Sequence, residues 1–242
     1  VLEAARARDL APAARAAVLL SLGLHHLEAR RYEAALTVID ALLHDQPTSV
    51  PGLGLRLRAL AGMGRRDEVR SMAARGRDDA AMTPEARRQL ARAATSVGAF
   101  AEAIALLEQI CELPQATAWD LNNLAWARLH LEPVPASARA AAQQAVDRAG
   151  RGGTPELHTL AAVLAETGEP EQAMTTLRKV VAGNGQVRSE DWLVVARIAE
   201  AYGLPDAARA AYRKVDPPGE PSTPSTYALA QRWLARLDAA RK

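Results

Sequence analysis

The chain has 242 residues, 49% hydrophobic but only 4% aromatic, with 30 basic and 28 acidic side chains for a formal charge of +2. That balance argues against a dedicated polyanion binder, and a lone cysteine, Cys111, excludes an intrachain disulfide or a cysteine-based metal cluster. The apolar content is mainly Ala and Leu, both strong helix formers, and no β-rich segment is visible.

Small residues recur along the chain at Ala35, Val69, Ala103, Ala138, Ala173 and Ala208, at spacings of 34, 34, 35, 35 and 35. Such a period marks a supersecondary unit that cannot bury its own apolar face and must be covered by the next copy. Four and seven residues after the rungs come Ile39 and Leu42, Leu107 and Ile110, Leu177 and Val180, Tyr212 and Val215, which is one helical face. A second small or apolar ladder lies about twelve residues earlier, at Gly23, Leu57, Ala91, Ala125, Ala161 and Ala196. Each unit is therefore a pair of helices. Short turns led by Gly64, Gly98, Gly168 and Gly203 join the two helices and make the pair antiparallel.

In chain order, Val1–Leu10 reads as the second helix of a half repeat (1–15), and this phase predicts a segment of a longer protein. Units at 16–49, 84–117, 154–188 and 189–223 carry the pattern well. Unit 50–83 is degenerate at Arg56, Leu57 and Gly76, and 118–153 has an insertion near Pro133 and Pro135. Thr83-Pro84-Glu85 and Thr154-Pro155-Glu156 read as helix starts with a capping hydroxyl, and Ser189-Glu190-Asp191 does so without Pro. Gly150–Gly153 and Gly183–Gly185 read as loops between units. Thr223-Pro224 opens a capping helix (224–242) through Arg241, with Arg232, Arg236, Asp238 and Arg241 on a solvated outer face.

The spacing of large apolar, apolar, small, turn glycine, small and large, as in Trp192, Val195, Ala196, Gly203, Ala208 and Tyr212, resembles the tetratricopeptide repeat. The resemblance implies an all-α, right-handed superhelical solenoid of about six repeats, with first helices lining a concave groove and second helices forming the back. It implies a non-catalytic scaffold for protein–protein interaction.

The search for chemistry agrees with that expectation. The five histidines form no two-histidine helix motif, no nucleophile elbow appears, and Arg151-Gly152-Gly153-Thr154 lacks the spacing of a phosphate loop. No catalytic residue, cofactor or metal site is predicted. Cys111 reads as a buried thiol, and His26, Trp192 and Trp233 read as core. The longest apolar run, Ala16–Leu24, is too short to span a bilayer, and no signal-peptide pattern is seen. The cytoplasm is favoured, and the Ala/Arg-rich composition suggests a bacterial source.

Groove positions two, five and nine of each first helix share one face. They hold Trp119, Asn122 and Trp126 in unit 118–153, with Arg88 and Arg92 in the preceding unit, and Arg58, His158 and Arg197 elsewhere. Rings supply desolvated area, an amide pairs with peptide backbone and Arg forks onto a carboxylate, so these residues read as a peptide site. Two accounts stand for Trp119 and Trp126: groove anchors, or packing between first helices. Arg92, Pro155 and Thr159 depart from the clamp with which some such repeats hold a C-terminal carboxylate, which favours an internal acidic or mixed peptide. Residues 50–99 hold ten Arg against five acids, so an acidic partner fits. The alternatives are a helical repeat that binds RNA, against which the near-neutral charge stands, and a regulatory segment of a larger multidomain enzyme.

Overall fold

The computed structural model describes residues 10–150, 153–218 and 225–239. Among them are thirteen helices and no strand: α1 (Pro12–Glu28), α2 (Tyr32–Asp45), α3 (Val50–Gly62), α4 (Arg66–Asp78), α5 (Pro84–Ser96), α6 (Phe100–Cys111), α7 (Ala118–Leu129), α8 (Ser137–Ala149), α9 (Thr154–Glu166), α10 (Pro170–Asn184), α11 (Asp191–Ala201), α12 (Pro205–Tyr212) and α13 (Thr226–Ala239). The chain forms two compact units that divide between Leu106 and Leu107. The expected elements at 1–9, Arg151-Gly152, Thr223-Pro224 and Arg241 lie outside the described residues.

Within the first unit α1 packs on α2 and α3, and α3 on α5; within the second α7 packs on α8 and α9, and α9 on α10 and α11. Both ladders account for this stacking. All six rungs of the second-helix ladder, from Ala35 to Ala208, are fully buried, and all six of the earlier ladder are buried. A small residue is needed because a larger one would hold the neighbouring helix away from its packing distance. The faces that follow the rungs are equally closed: Ile39, Leu42, Leu107, Ile110, Leu177, Val180, Tyr212 and Val215 are all buried.

Five of the turns share one closure. The middle residue has positive φ, at Gly64, Gly98, Gly168 and Gly203 and, in the first pair, at Arg30 with φ +55°. The following N–H then reaches back five residues, as in Ala99 to Ala94 at 2.8 Å and Arg31 to His26 at 2.8 Å, which caps the helix end. Glycine adopts this conformation without steric cost, and Arg30 does not.

The connection from α7 to α8 differs. It runs over 130–136, against three residues in the other five, yet Ala125 and Ala138 are only one residue further apart than their counterparts. Most of its length is therefore taken from the helices. Helix α7 stops one residue early relative to its rung, and α8 starts two late, with Ala138 as its second residue where other rungs are the fourth. Pro133 and Pro135 cannot donate to a helical ladder and so hold this stretch open. Without a left-handed residue, α7 ends in tighter bonds, His130 N–H to Ala127 and Leu131 N–H to Arg128, at 3.2 and 3.0 Å.

Several local expectations need correction. Thr83 caps α5, accepting from the Ala86 N–H at 3.3 Å, but Thr154 is already helical and caps nothing. At α11 the Asp191 carboxylate, not Ser189, closes the first turn by accepting from the Arg188 N–H at 2.8 Å; Ser189 Oγ instead accepts from the Asp216 N–H at 2.6 Å. Gly183 lies inside α10, and only Gly185 is the left-handed exit. Trp233 is buried as expected, whereas Trp192 is half-exposed beneath Lys214, whose Nζ is 3.8 Å from the ring centre. Gly76 in the degenerate unit is buried, and a Cβ there would lie 2.2 Å from Leu90 Cδ1.

The outer face expected of α13 stays exposed at Arg236 and Asp238 and is half-buried at Arg232, but its charged side chains are paired. Arg232 and Arg236 pair with Glu132 and Glu166, and Asp238 pairs with the buried Arg209, because α13 lies against α11 and α12 with its charged stripe turned toward earlier helices.

Candidate functional site

Helix α7 is fixed at its start by a reciprocal cap. Thr117 N–H and Oγ1–H donate to Asp120 Oδ2 at 2.9 and 2.8 Å, and Asp120 N–H donates to Thr117 Oγ1 at 3.2 Å. Asp120 is fully buried, so the cap also orients the first turn against the protein. Trp119 projects from that turn and remains 44% exposed, a large value for a tryptophan on a packed helix. Asn122, one turn on, is half-buried, and its Oδ1 is out of solvent yet accepts no hydrogen bond from the described residues. Trp126 follows four residues later, half-buried, with the edge of the His130 ring against it at 5.3 Å between centroids and 79° between planes. One face of α7 thus carries an exposed ring, a half-buried amide and a half-buried ring packed against His130.

Likeness to known proteins lies in the fold. No protein-family model matches the chain, and no curated protein matches it. Among solved structures, it is similar to a tetratricopeptide repeat protein from Parabacteroides merdae ATCC 43184, at 13% identity and TM-score 0.62 over 93% of this chain and 84% of that one. It is also similar to a chain of the APC/C hetero-tetramer Cut9-Hcn1, at 16% identity and TM-score 0.60 over 92% of this chain. The match spans 42% of that longer chain. The fold is the tetratricopeptide-repeat fold.

Trp119, Asn122 and Trp126 share one face of α7. The other predicted site residues are differently placed. In the first unit, Arg58 on α3 and Arg92 on α5 are exposed, and Arg88 Nη1 lies 3.4 Å from Glu85 Oε2 on its own helix. In the second unit, His158 on α9 is half-buried, with Nε2 3.2 Å from the Glu190 carbonyl and 3.9 Å from Asp191 Oδ1, a contact that ties α9 to the start of α11. Arg197 on α11 is drawn into an ionic cluster: Nε is 2.6 Å from Glu166 and Nη1 is 2.9 Å from Glu200, while its Cζ sits 5.3 Å from the centre of the Trp233 ring. Burial disfavours the Arg197 charge, but Glu166 and then Tyr212 and Glu200 hold its pKa above the ordinary value. Glu200 also accepts the Tyr212 hydroxyl.

Sequence reasoning missed the Thr117–Asp120 cap, although Thr-x-x-Asp before an apolar helix is its signal. It also missed Ser49, which caps α3 ahead of Pro51. Among the described residues, no group of three or more His, Cys, Asp or Glu side chains is placed to hold a metal ion. No described helix is long and apolar enough to cross a membrane.

Proposed function

We propose that the chain is a non-catalytic scaffold whose first helices bind a partner peptide or protein segment along the concave groove, with Trp119, Asn122 and Trp126 as the central contacts in the second unit. The observation that carries this reading is the exposed Trp119 on the face of α7 that also bears Asn122 and Trp126. An exposed tryptophan supplies a large area for burial by a partner. The Cut9-Hcn1 neighbour is part of a hetero-tetramer, which agrees with a partner-holding role for this fold. In the first unit, Arg58, Arg88 and Arg92 favour an acidic or mixed partner.

The test is the combined change Trp119→Ala, Asn122→Ala and Trp126→Ala. Helical content by circular dichroism should stay near that of the parent, while capture of a partner identified by mass spectrometry is abolished. Removing a central aromatic anchor costs about 2 kcal/mol or more in binding, so the loss is large. Global unfolding of the triple variant would make these residues core, and unchanged capture would move the site elsewhere. RNA recovered in place of protein would favour a nucleic-acid reading.

A further inference from the structure

Covering the last helix pair requires little of α13. Leu229, Ala230 and Trp233 do this, buried toward α11 and α12, with the Trp233 and Tyr212 ring centres 6.5 Å apart. A second stripe of the same helix does something a cap does not need. Arg232 Nη1 donates to the His130 carbonyl at 3.0 Å, its Nε lies 3.1 Å from Glu132, and Arg236 Nη1 lies 3.4 Å from Glu166. Through these contacts α13 touches the C-terminal ends of α7 and α9, and it also packs on α11. Trp233 lies under Arg197, a groove position, and His130 is the residue whose ring holds Trp126.

Resting on the groove reading above, we propose that α13 is an intramolecular occupant of the groove, an autoinhibitory latch that a partner must displace from the last first helices. Its docking has the character of a latch. One aromatic anchor is surrounded by ion pairs that remain in contact with solvent: the side chains are 34% and 58% exposed in Arg232–Glu132 and 44% and 12% in Arg236–Glu166. Such pairs hold a helix in register at low ionic strength and weaken as salt screens them. The tether keeps the released helix at high local concentration, so a partner competes against an intramolecular rival.

Hydrogen exchange on the whole chain tests this. Raising salt from about 0.05 to about 0.5 M should speed exchange at 226–239 severalfold while α9 to α12 stay protected. Arg232→Glu with Arg236→Glu sets acids against Glu132 and Glu166 and should speed exchange at 226–239 about tenfold or more. A labelled synthetic peptide of residues 225–239 should then bind the double variant and not the parent. Capture sensitive to the Trp119, Asn122 and Trp126 changes should rise in the double variant. Exchange that rises equally in α9 to α12 and at 226–239, or is unmoved by salt, would overturn the latch by making α13 part of one cooperative core. The salt series decides this even if the double variant fails to fold. Released α13 with unchanged capture would also overturn it and leave the groove reading standing. A triple Ala variant that still captures partner would sink the groove reading while the exchange results stand by themselves.

Discussion

Arg232 on α13 donates to the carbonyl of His130, 102 residues earlier in the chain, at 3.0 Å. The bond adds to a helix end that Leu131 N–H closes onto Arg128, where a left-handed residue closes five other first helices. Where Gly98 or Gly168 brings a following N–H back onto the helix end, α7 has no such residue, and its last carbonyls are met from outside by a guanidinium that also reaches toward Leu129. A cation at this point also faces the negative end of the helix dipole. The end of the helix that carries Trp119, Asn122 and Trp126 is thus completed by the C-terminal helix.

Ala173 tests the ladder. It is fully buried in α10, and Leu in its place would put four-carbon bulk into a contact built for a methyl group. Ala173→Leu is expected to lower stability by about 1–3 kcal/mol. Urea denaturation followed by circular dichroism checks this, and an unchanged midpoint would mean that the position is not at a close helix contact.

Gly76 and Gly54 separate packing from propensity. A Cβ on Gly76 would lie 2.2 Å from Leu90 Cδ1 and 2.9 Å from Met82 Sδ, while one on Gly54 meets only the end of Gln89, 3.0 Å from Oε1. Gly76→Ala should therefore destabilise by about 1–3 kcal/mol, since Leu90 is buried and must move. Gly54→Ala should be stabilising, by up to about 1 kcal/mol, because a flexible side chain yields easily and Ala favours the helix. Paired melting curves with shifts of the same sign would refute the distinction.

Cys111 gives a pH signature. Burial first, then Asp120, push its thiol from 9.0 up to about 11, against the opposing pull of Arg128 and Arg148. The folded chain holds this proton more tightly than the unfolded chain, so the stability it contributes is present below pH 9 and lost as pH climbs toward 11. Reaction with a disulfide reagent proceeds through the thiolate. The rate for folded protein should still be rising at about pH 10, while that of denatured protein has levelled off. A plateau near 9 in the folded state would contradict the assignment.

Periodicity explains what was legible from residues alone. Rungs such as Ala35 and Ala173 and turns such as Gly98 are decided within one unit, so spacing reveals them. Helix starts were less legible, since Thr154 and Ser189 look like caps but the chain enters α9 and α11 by other bonds. Periodicity alone puts Trp119, Asn122 and Trp126 on one face of α7, and the structure keeps Trp119 exposed there. Arg197 has the register of a groove residue, but its partners are Glu166, 31 residues earlier, and the Trp233 ring, 36 residues later. Such pairings depend on how neighbouring repeats stack. They carry no local signal, which is also why the pairing of Arg232 and Arg236 with Glu132 and Glu166 is not legible in the sequence.

The connection between α7 and α8 has a broader consequence. It acquires its length by unwinding helix ends, while the rungs on either side, Ala125 and Ala138, both remain fully buried. Change at the turn is thereby decoupled from the stack. A repeat array built in this way can gain new surface at a turn, here the surface that receives Arg232, without re-aiming the helices that come after it.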